Sequence, residues 1–236
     1  MNEIKLELIM TRRYLACFSA FCPTARSLIN SLALVIAFWM AAVPYSHAQL
    51  NIVFIDTDGN PVNDVIAELQ VSQIDTVPQE IGVMDQVNRT FVPNILLIAR
   101  GQQVRFPNSD NVRHHVYSFS DVRQFSTPLY ADEEVDPILF DQAGVATLGC
   151  NIHDSMVAYV YVSEWQDRYQ SDELGRISLD NTGADVIHVW HPWLQTPGNR
   201  QEIPLTGASN NQLTIELDVR DPSQVFGFRA IREENS

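Results

Sequence analysis

Short runs rich in β-branched and aromatic residues recur along most of this chain, each bounded by turn residues, and no sustained helical periodicity interrupts them. "NIVFID" (Asn51 to Asp56) leads into the turn "TDGNP", and "DVIAELQV" (Asp64 to Val71) follows it, which reads as a hairpin. "ILLIA" (Ile95 to Ala99), "RGQQ" and "VRF" (Val104 to Phe106) read as a second hairpin. "HHVYSF" (His114 to Phe119), "PILF" (Pro137 to Phe140), "VATLGC" (Val145 to Cys150) and "MVAYVYV" (Met156 to Val162) continue the pattern. "GRISL", "DVIHVWH" and "QLTIELDV" add three more candidate strands. Strands this short and this frequent, without intervening helical stretches, exclude a parallel α/β fold and predict an all-β chain of two sandwiches.

The first 48 residues read differently. Leu32 to Val43 is an apolar run too short to span a bilayer, preceded by Arg12, Arg13 and Arg26. Ser46 and Ala48 then place small residues at the positions a signal peptidase reads, with cleavage expected between Ala48 and Gln49. Met10 is an alternative start, and an uncleaved anchor is the competing reading. Residues 1–48 are therefore expected to be a signal peptide that directs export, with no membrane span after cleavage. The leader carries four basic and two acidic side chains, so the remainder has a formal charge of −16 against −14 for the whole chain. Such an acidic chain repels phosphates, which argues against a nucleic-acid partner. A basic protein partner, steered by charge, is compatible with it.

Cys17 and Cys22 belong to the leader, so the exported part keeps Cys150 alone. A single thiol in an oxidising compartment forms no internal disulfide and calls for another role. It lies in "LGCNIHDSM", where Cys150, His153 and Met156 follow a C-x2-H-x2-M spacing between two candidate strands. A buried small hydrophobe, a reactive thiol and a metal ligand are three readings of Cys150 that these residues leave open. A further ligand would come from His114 or His115, upstream in "RHHV". Two imidazoles, a thiolate and a weak axial thioether suit copper in an electron-transfer site, whereas thioether is a poor zinc ligand.

The stretch "FVPNILLIARGQQVRFPNSDNVRHHVYSF", followed after a gap by "GCNIHDSM", resembles the cupredoxins, the plastocyanin and amicyanin family. The resemblance covers about residues 81–162 and implies a Greek-key β-sandwich holding one mononuclear type 1 copper. It implies His114, Cys150, His153 and Met156 as the metal ligands, with His115 standing where the family has asparagine. It also implies that His153 passes the electron at the surface, to a redox protein such as a c-type cytochrome or a dehydrogenase. Two positions depart from the family. Asp154-Ser155 replaces a proline and a bulky residue, and the Asp154 carboxylate is expected to lower the reduction potential. Gly149 stands where an aromatic or other side chain often precedes the cysteine.

The segment "DELGRISLDNTGADVIHVWHPWL" resembles carboxypeptidase regulatory-like, immunoglobulin-type modules. The strand–"DGNP"–strand unit that usually opens such a module sits at the N-terminus here. The expected layout is a signal peptide at 1–48, an N-terminal hairpin and linker at 49–80, and a cupredoxin domain at 81–162. A smaller Ig-like sandwich at 163–222 and a tail at 223–236 complete it. Residues 50–71 are expected to pair with residues 172–219, with the cupredoxin inserted between them, and the polar stretches 72–80 and 163–175 are read as linkers. The cluster "HVWHPW", with His188 and His191, reads as an aromatic core edge rather than a second metal site, because Pro192 starts a turn beside His191.

The layout resembles proteins of the methylamine-utilisation-protein-like type, although no amine-oxidising site is encoded. The expected function is single-electron transfer by a periplasmic copper protein that is not an enzyme. Non-redox copper binding or delivery is the alternative. A thiol-nucleophile enzyme built on Cys150 would need a third, orienting group, and none is evident in the sequence.

Overall fold

In "MVAYVYV" and "VATLGC" alternate residues are apolar on both phases, which is the signature of strands covered on both faces. A computed structural model describes residues 49–131, 135–180 and 183–220, together with every side chain in those ranges except that of Asp154. The expected signal peptide and residues 223–236 lie outside the described residues, and no described helix is long and apolar enough to cross a membrane.

The described residues form strands β1 (Leu50–Asp56), β2 (Ile66–Gln73), β3 (Gly82–Val83), β4 (Asp85–Val87), β5 (Thr90–Val92) and β6 (Ile95–Ala99). There follow β7 (Gln103–Arg105), β8 (Val116–Ser118), β9 (Phe125–Ser126), β10 (Ile138–Leu139), β11 (Gly144–Cys150) and β12 (His153–Ser163). The last are β13 (Trp165–Gln170), β14 (Arg176–Leu179), β15 (Val186–Trp190), β16 (Arg200–Pro204) and β17 (Gln212–Leu217). The chain is all-β, as its sequence predicts.

Two sandwiches result. In the first, the sheet β6-β12-β11-β8-β9 faces the sheet β10-β7-β3. Their shared core holds Val104, Phe106, Phe140, Leu148, Met156 and Val160. Fully burying a side chain of this size contributes about 1.5–3 kcal/mol. In the second, β14-β1-β17 faces β13-β2-β15-β16 over Ile52, Phe54, Leu69, Ile187 and Leu217.

Both expected hairpins are corrected by the pairing. β1 pairs with β14 and β17, while β2 pairs with β13 and β15 in the opposite sheet. The "TDGNP" turn does reverse the chain, with the Val62 N–H donating to the Phe54 carbonyl at 3.0 Å, before the chain crosses over. Likewise β6 pairs with β12, whereas β7 pairs with β10 and β3. Each turn is an arch between sheets, because the flanking apolar faces bury more surface against each other across a core than side by side. The polar stretch 163–175, read as a linker, contains β13, whose backbone is paired along most of β2. It is an edge strand of its sheet, and most of its side chains are polar, although Tyr169 packs against the core.

β1 is locked to the turn that leads into β14 by close backbone contact. Gly175 has φ 69 and its carbonyl accepts the Phe54 N–H at 2.8 Å, and a Cβ there would lie 2.3 Å from the Phe54 oxygen. Only glycine fits that position.

The two sandwiches meet at the outward faces of β12 and β2. Ile66, Ile95, Tyr161 and Trp190 form a buried cluster, with the Tyr161 and Trp190 ring centroids 5.3 Å apart. Strand alternation therefore splits β12, with Met156, Ala158, Val160 and Val162 facing one core and Tyr159 and Tyr161 facing the other sandwich.

Candidate metal centre

Cys150 ends β11 and His153 begins β12, and the two residues face each other across the turn Asn151–Ile152. The register then shifts, since Gly149 pairs with Val157. Three residues of β12, 154 to 156, are thereby taken up without partners on β11. Such a bulge twists the strand and re-aims its side chains. Met156, the last residue of the bulge, is in phase with Ala158 and Val160, and it is buried in the same core as Cys150.

The third element is the segment that leads into β8. Alternation there places His114, Val116 and Ser118 inward, and His115, Tyr117 and Phe119 outward. His114 is wholly buried, with Nδ1 3.5 Å from Cys150 Sγ. His153 Nδ1 lies 3.9 Å from the same sulfur, and the two imidazole centroids are 5.1 Å apart. The ligand atoms of His114, Cys150 and His153 all fall within 4.8 Å of one another, two of the residues buried and His153 partly exposed. His115 turns away, its Nε2 2.7 Å from Ser126 Oγ.

These distances fit one ion. With metal–sulfur about 2.3 Å and metal–nitrogen about 2.0 Å, a sulfur and a nitrogen on the same metal lie roughly 3.5–3.9 Å apart for angles of about 110–130°. Both imidazoles present Nδ1 inward, which leaves each Nε2 to other partners. For His114 that partner is Asp110, whose Oδ2 lies 3.1 Å from Nε2.

The loop carrying His114 is tied at several points. The His114 N–H donates to the Tyr130 carbonyl at 2.9 Å, and the Tyr130 N–H returns a bond to the His114 carbonyl at 3.0 Å. Asn108 Nδ2 donates to the Val112 and Tyr130 carbonyls. Burial pushes the Tyr130 phenol up to about 12, so its hydroxyl stays protonated and donates to the Phe106 carbonyl at 2.7 Å. Asp110 accepts from the Arg89 N–H at 2.7 Å and the Asn111 N–H at 2.9 Å. The Arg89 N–H, and next the His114 imidazole, hold its carboxyl below the usual carboxylate range.

Sequence reasoning did not single out Asp110, Tyr130 or the backbone of Arg89. Asp110, four residues before His114 in "DNVRHH", was the one with a readable signal, since ligand histidines commonly bond a carboxylate through their second nitrogen.

His188 and His191 are not brought together at a metal site; among the described residues, convergent ligand atoms occur at His114, Cys150 and His153. His188 Nε2 lies 3.6 Å from Glu202 Oε1. His191 is buried, its Nδ1 accepts the Trp193 N–H at 3.3 Å, and burial pushes its pKa down to about 4.

No protein-family model matches the chain, and no curated protein matches it. Solved structures similar to part of it include a purple cupredoxin from Nitrosopumilus maritimus, at 22% identity, with 35% of this chain and 99% of that chain covered and a TM-score of 0.32. A reduced Cu(I) form of a mutant amicyanin at pH 4 shares 21% identity over 41% of this chain and 98% of its own, with a TM-score of 0.33. The oxidised state of another amicyanin mutant shares 20% identity over 44% of this chain and 95% of its own, with a TM-score of 0.34.

Proposed function

We propose that the protein binds one copper ion at His114, Cys150, His153 and Met156 and carries single electrons between protein partners outside the cytoplasm. The observation that supports this most is the convergence of one thiol sulfur and two imidazole Nδ1 atoms at 3.5 and 3.9 Å. A buried thiol, two imidazoles and a thioether on the inward face of the same sandwich form a donor set suited to copper rather than zinc. Copper bound there would supply a one-electron couple that none of the side chains provides alone.

The chain's own residues then have separate tasks. Cys150 binds as thiolate, in a core whose burial excludes water. His114 is fixed from both sides, by backbone pairing with Tyr130 and by Asp110. Strands on either side of the site resist rearrangement, so the same ligand positions serve both oxidation states. His153 is the ligand that reaches the surface and is the exit for the electron. The strongly acidic chain favours a redox partner with a basic docking face, a c-type cytochrome or a dehydrogenase. The apolar run and cleavage pattern of residues 1–48 support a periplasmic location.

The test is the visible and electron-spin spectra of the copper-loaded protein beside Cys150→Ser. An intense charge-transfer colour that bleaches on reduction, returns on reoxidation and is missing in Cys150→Ser is expected. Stoichiometric copper binding without that colour would replace electron transfer with copper storage or delivery. A protein that takes up no copper would overturn the reading.

A further inference from the structure

His114 is buried completely, and its two ring nitrogens face different groups: Nδ1 faces the Cys150 sulfur at 3.5 Å, and Nε2 faces Asp110 Oδ2 at 3.1 Å. The carboxylate is itself held in place. Its Oδ2 also accepts the Arg89 N–H at 2.7 Å, its Oδ1 accepts the Asn111 N–H at 2.9 Å, and its own N–H donates to Asn108 Oδ1 at 3.0 Å. Its side chain is 9% exposed. Arg89 belongs to the turn between β4 and β5, where Asn88 and Arg89 both have left-handed φ values of 51 and 60. Asparagine tolerates that region and arginine does so rarely. The turn thus keeps an unfavourable backbone conformation at the residue whose N–H meets Asp110.

We infer that Asp110 is the positioning residue of the metal centre, fixing His114 as the tautomer with its proton on Nε2 and setting the electron-donating strength of Nδ1. The inference rests on the reading of the site as a copper centre. An imidazole whose second nitrogen donates to a carboxylate becomes a more basic ligand. A more basic ligand, with a negative charge just beyond it, favours the more positive Cu(II) over Cu(I). Asp110 therefore lowers the reduction potential, from the buried side of the site and independently of Asp154. Because His114 is inaccessible to solvent, no water can replace the carboxylate as acceptor without the loop opening. Asp110 also couples the β4–β5 turn to the ligand, so its geometry is decided outside the ligand loops.

The experiment compares the copper-loaded full chain with Asp110→Asn and Asp110→Glu. Asparagine can keep an acceptor oxygen toward Arg89 and His114 while losing the charge. Glutamate keeps the charge on a longer arm. The readouts are the midpoint potential and the separate affinities for Cu(I) and Cu(II). In Asp110→Asn the midpoint potential rises, and Cu(II) affinity falls roughly tenfold to a hundredfold, the range for losing such a partner, while Cu(I) affinity falls less. Asp110→Glu recovers a potential nearer the wild type than Asp110→Asn does. A merely structural role would weaken both oxidation states alike and leave the potential where it was. Equal loss of both affinities, or an unchanged potential in copper-loaded Asp110→Asn, overturns the inference while leaving the copper site standing. A wild type that binds no copper removes both. Should Asp110→Asn fail to fold, the same comparison made with Asp110→Glu against wild type decides the matter, since moving the carboxylate by one methylene must shift the potential if its position sets it.

Discussion

Gly149 pairs directly across the strands with Tyr117, and the Tyr117 ring folds over it, so that a Cβ at position 149 would lie 2.7 Å from the phenol oxygen. The residue before the cysteine thus has no side chain because a neighbouring strand's aromatic fills its space. A tyrosine covering a cross-strand glycine is a known way to stabilise one. Gly149→Ala is expected to cost about 1–3 kcal/mol by overpacking. Tyr117→Ala in the same chain should recover much of that loss, because the clash and its partner vanish together. Urea unfolding of the two single variants and the double variant checks the coupling; additive losses would contradict it.

Glu68 is buried at the junction of the two sandwiches, with Oε2 accepting the Tyr161 hydroxyl at 2.9 Å and Oε1 without a hydrogen-bond partner. Tyr161 is itself buried, and the Arg200 guanidinium lies 5.2 Å from its ring centroid. Tyr161→Phe leaves both oxygens of the buried Glu68 side chain without a hydrogen-bond donor and is expected to cost about 1–3 kcal/mol. Pairing it with Glu68→Leu should bring stability back toward wild type, since removing both polar partners is far cheaper than removing one. Denaturant midpoints of the three variants measure this.

His191 gives the fold a defined acid sensitivity. Burial pushes its pKa down to about 4, against about 6.5 for an unfolded chain. As pH falls the unfolded state takes up the proton first. The stability that neutral His191 contributes in full above about pH 6.5 is therefore lost as pH falls toward 4, on the order of 3 kcal/mol across that window. His191→Asn keeps an acceptor near the Trp193 N–H and cannot titrate. The stability difference between variant and wild type should change across pH 6.5 to 4 and stay flat above it, which urea midpoints at a series of pH values will show.

Metal addition should stabilise the first sandwich specifically. A ligand present at a hundredfold its dissociation constant adds about 2.7 kcal/mol if it binds only the folded state. Copper is expected to raise the melting temperature of the wild type and to leave Cys150→Ser unmoved. Zinc, offered at the same concentration, should give a smaller rise because the thioether of Met156 contributes little to it. Differential scanning calorimetry with each metal distinguishes these outcomes.

Much of this was legible in the residues themselves. Alternation along "VATLGC" and "MVAYVYV" marks the strands, and the seven-residue span from Cys150 to Met156 keeps three soft donors together whatever the rest of the chain does. Local patterns are readable because side-chain direction follows the backbone with a period of two. Alternation by itself left His114 and His115 both open; in the structure His114, in phase with the buried Val116 and Ser118, is the one whose ring faces the sulfur.

Sheet partners were not legible. "NIVFID" and "DVIAELQV" satisfy a hairpin pattern as well as an arch, and what separates the two is which distant strands offer β1 a better partner. β17 and β14 do, from more than a hundred residues away. The Arg89 N–H that holds the Asp110 carboxylate and the tyrosine over Gly149 belong to the same class, because each depends on where a second backbone passes. The sequence by itself determined the strand character, the turn positions and the local ligand cluster, all of which follow from short-range geometry. The tertiary structure alone decided the pairing of the strands, the anchoring of Asp110 by the Arg89 N–H and the filling of glycine's missing side chain, because each is a contact between segments that only long-range burial brings together.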